Sequence, residues 1–309
     1  MSFIEQMAKE LNKPQVEIED FLFFSPNKYK VYRIPKRTHG FRTIAQPTKE
    51  LKDYQRAFTS WVKLPVHNCA MAYCQGRSIK DNAYAHKKNT YLLKLDLENF
   101  FNSITPDIFW SVWSSRWKLP NENERQWVER LLFWNKKGKL VLSVGAPSSP
   151  LISNFCMVQF DKDLYLYCQS LGVTYTRYAD DLTFSTNKRN SLFSLPSNIS
   201  QLLEKHFQSD LKINHSKTAF SSKAHNRHVT GITINNDGNL SLGRERKRYI
   251  KHKIHQFKLS SLDAYEIQHL KGLLSFAKHI EPTFIESLEK KYSKSLIEII
   301  FEAKSDERK

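Results

Sequence analysis

At 309 residues the chain can bury a sizeable core, as one large or two to three small subdomains. Lys and Arg outnumber Asp and Glu by 48 to 31, a net charge of +17, which favours a polyanionic partner, nucleic acid ahead of membrane. No apolar run approaches the length of a membrane span and the N-terminus lacks a secretory pattern, so a cytoplasmic protein is expected.

Residues 1–28 read as short helices punctuated by Pro14 and Pro26. Alternation over 29–34 and 41–44, around a Lys36-Arg37-Thr38-His39-Gly40 tip, predicts a basic-tipped β-hairpin. Helices are expected over 51–62 and 78–87, then a compact strand over 91–97. Residues 106–134 read as helical, with Trp110, Trp113, Trp117, Trp127 and Trp134 scattered through them. Ser148-Ser149-Pro150 predicts a hydroxyl N-cap with Pro in the first turn, opening a helix over 151–167. A second hairpin, a helix near 197–207 and short strands near 211–214, 229–234 and 240–242 follow, with Asn236-Asp237-Gly238 as a turn. From Arg244 onward the pattern is helical: Ile250, Ile254 and Phe257 form an apolar face among Lys and Arg. Leu270, Leu273, Leu274 and Ala277 mark one further helix, and Leu288, Tyr292, Leu296 and Ile299 another; 304–309 are expected to fray.

The four cysteines form no C-x-x-C pair and lie at no finger-like spacing from His; Cys156 and Cys168 fall in apolar stretches and read as core. His225 and His228 form an H-x-x-H in a basic loop without a further ligand, and read as solvated or RNA-facing.

Tyr178-Ala179-Asp180-Asp181 carries the chemistry. It sits between two runs of β-branched and aromatic residues, at the tip of the second hairpin. Adjacent carboxylates repel unless a cation pairs with them, and hard divalent ions take oxygen ligands. Asp96, ending the strand over 91–97, supplies a third carboxylate if the two strands are neighbours. Three such acids suit two metal ions about 4 Å apart that clamp an in-line phosphoryl displacement.

At these residues the chain resembles reverse transcriptases. Asp96 with Phe101 five residues on matches the family's motif A, and Tyr178–Asp181 its motif C. Gly145-Ala146-Pro147-Ser148-Ser149-Pro150 matches motif B, with Val144 where the family usually has Gln. Asn82-Ala83-Tyr84-Ala85-His86 and Val229-Thr230-Gly231 match two elements carried by retron reverse transcriptases, and the resemblance covers most of the chain.

The resemblance implies an α+β right-hand polymerase, with interleaved fingers and palm over 1–235 and a helical thumb over 236–309. It implies Mg²⁺, with Mn²⁺ possible, held by Asp96, Asp180, Asp181 and the Leu97 carbonyl, with Lys217 as proton donor to pyrophosphate. Arg42, joined by Lys36 or Arg37, would reach the triphosphate; Phe101 would exclude a 2′-hydroxyl; Gly145 and Tyr178 would border the nucleotide. Asn82, His86, Val229, Thr230 and Gly231 would help engage RNA, and Arg244, Arg246, Lys247, Arg248 and Lys251 would grip its phosphates. The implied partners are deoxynucleotides, a cognate noncoding RNA serving as template and primer, its single-stranded DNA product, and a separate effector protein in defence against phage. Two other readings stay open: a group II intron-like or other bacterial reverse transcriptase, and a catalytically silent RNA-binding scaffold.

Overall fold

The computed structural model describes residues 2–35 and 40–303, so Lys36, Arg37 and the tail 304–309 lie outside the described residues. The chain forms two packing units: residues up to Arg77 with Leu93–Phe220, and Ser78–Leu92 with residues from Ser221 onward. Residues 78–92 and 221–235 thus pack with the C-terminal helices.

In the first unit, Ser2 and Glu5 cap the helix Phe3–Leu11 reciprocally, and the helix Gln15–Phe24 follows. The expected hairpin is present as β1 (Tyr29–Pro35) and β2 (Phe41–Pro47), antiparallel from Tyr29↔Pro47 to Pro35↔Phe41. β3 spans Tyr91–Asp96. The stretch 106–134 is not one helix. Thr105 caps Pro106–Ser114, Asn121 caps Glu122–Leu132, and the chain then turns into a hairpin of β4 (Trp134–Lys136) and β5 (Lys139–Val141). Lys137 and Gly138 both have positive φ, as a two-residue hairpin turn requires, and the aromatic spacing upstream masked this signal.

The helix expected over 151–167 is also two, Ser149–Cys156 and Val158–Leu171, broken at Met157. Ser148 takes the cap position with helical backbone and makes no side-chain capping bond, so the predicted hydroxyl cap is absent. Gly172, at φ 68, ends the second helix and turns the chain into β6 (Thr174–Tyr178), which pairs antiparallel with β7 (Asp181–Thr186). With β8 (Ala219–Ser222) these strands form a sheet in the order β6-β7-β3-β8. Residues 211–214 form only an isolated bridge, Ile213 to Leu97.

In the second unit, Ser78 and Asp81 form a capping box on the helix Ile79–His86. β9 (Arg227–Val229), β10 (Ile232–Ile234) and β11 (Leu240–Ser241) make a small antiparallel sheet. Thr230 and Gly231, both at positive φ, close its first turn. The helices Arg244–Lys258, Ala264–Ile280, Pro282–Tyr292 and Lys294–Glu302 bury Ile250, Ile254, Leu270, Leu274 and Leu288 in one core. The last two were expected as one helix. Ser293, at φ 83, breaks it and caps the second with its hydroxyl. Among the described residues no helix is long and apolar enough to cross a membrane.

Candidate active site

Tyr178↔Asp181 closes the β6–β7 hairpin, leaving Ala179 and Asp180 as its two turn residues. The Leu97 N–H donates to the Asp180 carbonyl at 3.0 Å, so the end of β3 meets the start of β7 and Asp96 lies beside the turn. Backbone bonds from Asn214 N–H to the Asp96 carbonyl (2.7 Å) and from Glu98 N–H to the Lys212 carbonyl (2.9 Å) seat the following segment on the other side. That segment carries Lys217, whose Nζ donates to Asp96 Oδ1 at 2.7 Å.

The three acids act on one another electrostatically. Burial raises the pKa of Asp180, with Asp96 adding to the rise and Lys217 and Arg42 opposing it. Burial, then the charges of Asp180 and Asp96, push Asp181 up to about 6 although its side chain is exposed. Among the described residues no three His, Cys, Asp or Glu side chains stand as a ready metal cage. The donors nonetheless fit a hard divalent cation: they are oxygens, and their mutual repulsion is what such an ion relieves.

A cavity of about 380 Å³ is lined by Tyr73, Phe101, Val144, Gly145, Lys52 and Arg56, and the charge of Asp180 reaches its Tyr73. Phe100 is buried core, whereas Phe101 is half-buried and faces Tyr73 at 6.5 Å between ring centroids. Gly145 has φ 123, closed to L side chains, and a Cβ there would stand 3.4 Å from the Ala45 carbonyl oxygen. Val144, where the family usually has Gln, binds β2 through its backbone: its carbonyl accepts from Ala45 N–H at 3.3 Å. Arg42 is exposed on β2, and its charge reaches both Asp180 and Tyr73.

The two short elements of the second unit come together. Asn82 Nδ2 donates to Thr230 Oγ1 at 3.5 Å, and that hydroxyl donates to the Ile79 carbonyl at 3.3 Å. Asn82, His86 and Val229 are buried, and burial pushes His86 down to about 3, so its ring is neutral. Their side chains therefore build the fold here, while Gly231 is exposed at the turn. On the basic helix, Arg244 and Arg248 are exposed. Lys247 is paired with Glu281 at 2.5 Å, Arg246 lies over the Phe276 ring, and Lys251 over Phe284.

Residues 34–234 match the family Reverse transcriptase (RNA-dependent DNA polymerase). The chain is 48% identical over 278 residues to the Retron Ec83 reverse transcriptase of Escherichia coli, covering 88% of this chain and 89% of that one. It is 34% identical over 275 residues to the Retron Mx65 reverse transcriptase of Myxococcus xanthus, covering 84% and 63%. The chain belongs to the retron reverse transcriptases. It is an RNA-directed DNA polymerase, and its retron kinship decides between this family branch and the group II intron-like reading. A solved foamy viral protease-reverse transcriptase with double-stranded DNA is similar at 15% identity and TM-score 0.47, covering 91% of this chain and 45% of its own.

Three features of this reverse transcriptase escape a reading of its sequence. Tyr73 lines the cavity from a loop with no secondary-structure signal, at φ 60. Tyr249 and His269 form an aromatic pair 6.2 Å apart between the helices Arg244–Lys258 and Ala264–Ile280. Arg177 is a fully buried charge inside β6, marked in sequence only as a cation in an otherwise β-branched and aromatic run.

Proposed function

We propose that this reverse transcriptase copies part of a cognate noncoding RNA into single-stranded DNA, beginning from an internal guanosine 2′-hydroxyl of that RNA. The observation that carries the catalytic reading is the acid cluster itself: the Leu97 N–H bond to the Asp180 carbonyl brings Asp96 to the Asp180–Asp181 turn, and Lys217 bonds Asp96. In this reading 1–235 supply fingers and palm and 236–309 the thumb.

Asp96, Asp180 and Asp181, with the Leu97 carbonyl, would hold Mg²⁺ or Mn²⁺. Such ions, when bound, activate the attacking hydroxyl and neutralise the leaving pyrophosphate. Lys217 is positioned by Asp96 to give its proton to the departing phosphate oxygen. Arg42 meets the triphosphate, where a guanidinium fork suits phosphate oxygens. Phe101 presses on the sugar face and leaves no room for a 2′-hydroxyl, while Gly145 and Tyr178 border the base and sugar. The exposed Arg244 and Arg248 grip RNA phosphates, with Arg246, Lys247 and Lys251 behind them. Asn82, His86, Val229, Thr230 and Gly231 shape the surface that the RNA meets. The protein acts in the bacterial cytoplasm, with a separate effector, in defence against phage.

The test uses protein purified with its bound RNA, given deoxynucleotides and Mg²⁺ without an added primer. New DNA covalently joined to RNA, and released by debranching enzyme, supports the reading. DNA made only with an added primer, or a junction resistant to debranching, refutes the 2′ start.

A further inference from the structure

Arg177 and Asp161 form an ion pair with no exposed side-chain surface, directly behind the acid-bearing turn. Along β6 the side chains alternate, so Tyr175 and Arg177 share a face, and both reach Asp161 on the helix Val158–Leu171. Arg177 Nε donates to Asp161 Oδ1 at 3.0 Å and Oδ2 at 3.1 Å, and Nη2 donates to Oδ2 at 2.7 Å. Tyr175 OH adds a bond to Oδ1 at 2.9 Å. A buried charge pair of this kind is weak evidence for stability, because an apolar pair of similar bulk often serves the fold as well. Its geometry shows a more specific use.

The remaining arm of the fork, Nη1, donates to the Ala179 carbonyl at 3.1 Å. Of the two turn residues Ala179 alone has positive φ, at 58, a conformation that an L side chain enters at a cost. Its carbonyl belongs to the peptide leading into Asp180. The peptide leaving Asp180 is pinned as well, by the Leu97 N–H next to Asp96. Asp180 is thus held between two fixed peptide planes, one tied to the helix through Arg177 and the other to β3.

Resting on the polymerase-site reading above, we propose that Arg177, held by Asp161, is a positioning residue that sets the Asp180 carboxylate opposite Asp96. A planar fork can hold a carboxylate and a carbonyl at once. A lysine ammonium is a point charge on a flexible stem and does not fix both directions. The backbone of Arg177 also bonds the 69–71 segment, donating to the Cys69 carbonyl at 2.9 Å and accepting from Met71 N–H at 2.7 Å. Those bonds survive side-chain replacement, so the cavity wall at Tyr73 stays in place when the guanidinium is removed.

The test is primer extension on an RNA template by Arg177→Lys and by the double variant Asp161→Leu with Arg177→Met, each rate normalised to folded protein. Arg177→Lys should lower kcat by about 10–100-fold and raise the Mg²⁺ concentration for half-maximal rate, as loss of ligand support does. Deoxynucleotide KM should stay within about twofold. The double variant should recover thermal stability relative to Arg177→Lys without recovering kcat. Wild-type kcat per folded molecule in Arg177→Lys overturns the inference, as does a loss confined to KM. The Arg177→Lys result stands whether or not the double variant folds. Asp180→Ala is the reference: if it still makes DNA, the polymerase-site reading itself fails, which separates that failure from this one.

Discussion

Replacing Asp181 with Asn should abolish DNA synthesis and, without metal, make the protein more stable. The Asp181 carboxyl is pushed from its ordinary 3.8 to about 6 by burial and by the charges of Asp180 and Asp96. At about 1.36 kcal/mol per pH unit, that difference amounts to about 3 kcal/mol against the folded state at neutral pH. The side chain is exposed, and solvent screening reduces the effect to about 1–2 kcal/mol. For a unit of this size that is about 2–8 °C in Tm. Because the folded pKa lies above the unfolded one, the stabilising contribution of protonation is full below about pH 4 and lost as pH rises through about 6. Asp181→Asn should therefore melt higher than wild type above pH 6 in EDTA, and the gap should close toward pH 4. Saturating Mg²⁺ should narrow the gap at pH 7.5 by stabilising wild type more. A variant that melts lower than wild type at pH 7.5 in EDTA, or a gap that ignores pH, refutes the charge-stress account.

Phe101→Val should admit ribonucleotides, narrowing the ratio of kcat/KM for deoxy over ribo substrates by about tenfold or more, read by single-nucleotide incorporation. Thr230→Val removes the hydroxyl that links Asn82 to the Ile79 carbonyl, and should cost about 1 kcal/mol in urea denaturation. Arg244→Ala with Arg248→Ala should weaken RNA binding and flatten the slope of log affinity against log salt by about two. An unchanged slope would remove these two residues from the RNA contact. Lys217→Ala should lower kcat by about 10²-fold or more, read by single-nucleotide incorporation.

The acids were legible because their chemistry is local. Two adjacent Asp in a turn and a third at a strand end are visible in the chain, and the sheet order β7-β3 joins them. The β1–β2 pairing was legible from its alternation, and the Asn82 and Val229 elements as motifs, yet not the union of those two elements. Asn82 meets Thr230 across 148 residues, a contact that no local pattern encodes. Burial also changes what Asn82 and His86 can do, since a residue type suited to RNA serves equally well inside a helix–turn contact. Helix breaks were the weakest reading. Ser293, at φ 83, interrupts a continuous apolar pattern through backbone geometry, Met157 separates two helices with its own backbone still in the helical region, and the aromatic residues over 106–134 satisfy helix and strand alike. Arg177 shows the general limit: its meaning lies in Asp161, sixteen residues earlier on a different element.

The most direct measurement compares wild type with the Asp180→Ala and Asp181→Ala double variant in extension of a DNA primer on an RNA template, with both proteins shown to bind RNA equally. The account predicts extension by wild type in Mg²⁺ and none above background by the variant. Synthesis by the variant within about tenfold of wild type would contradict it.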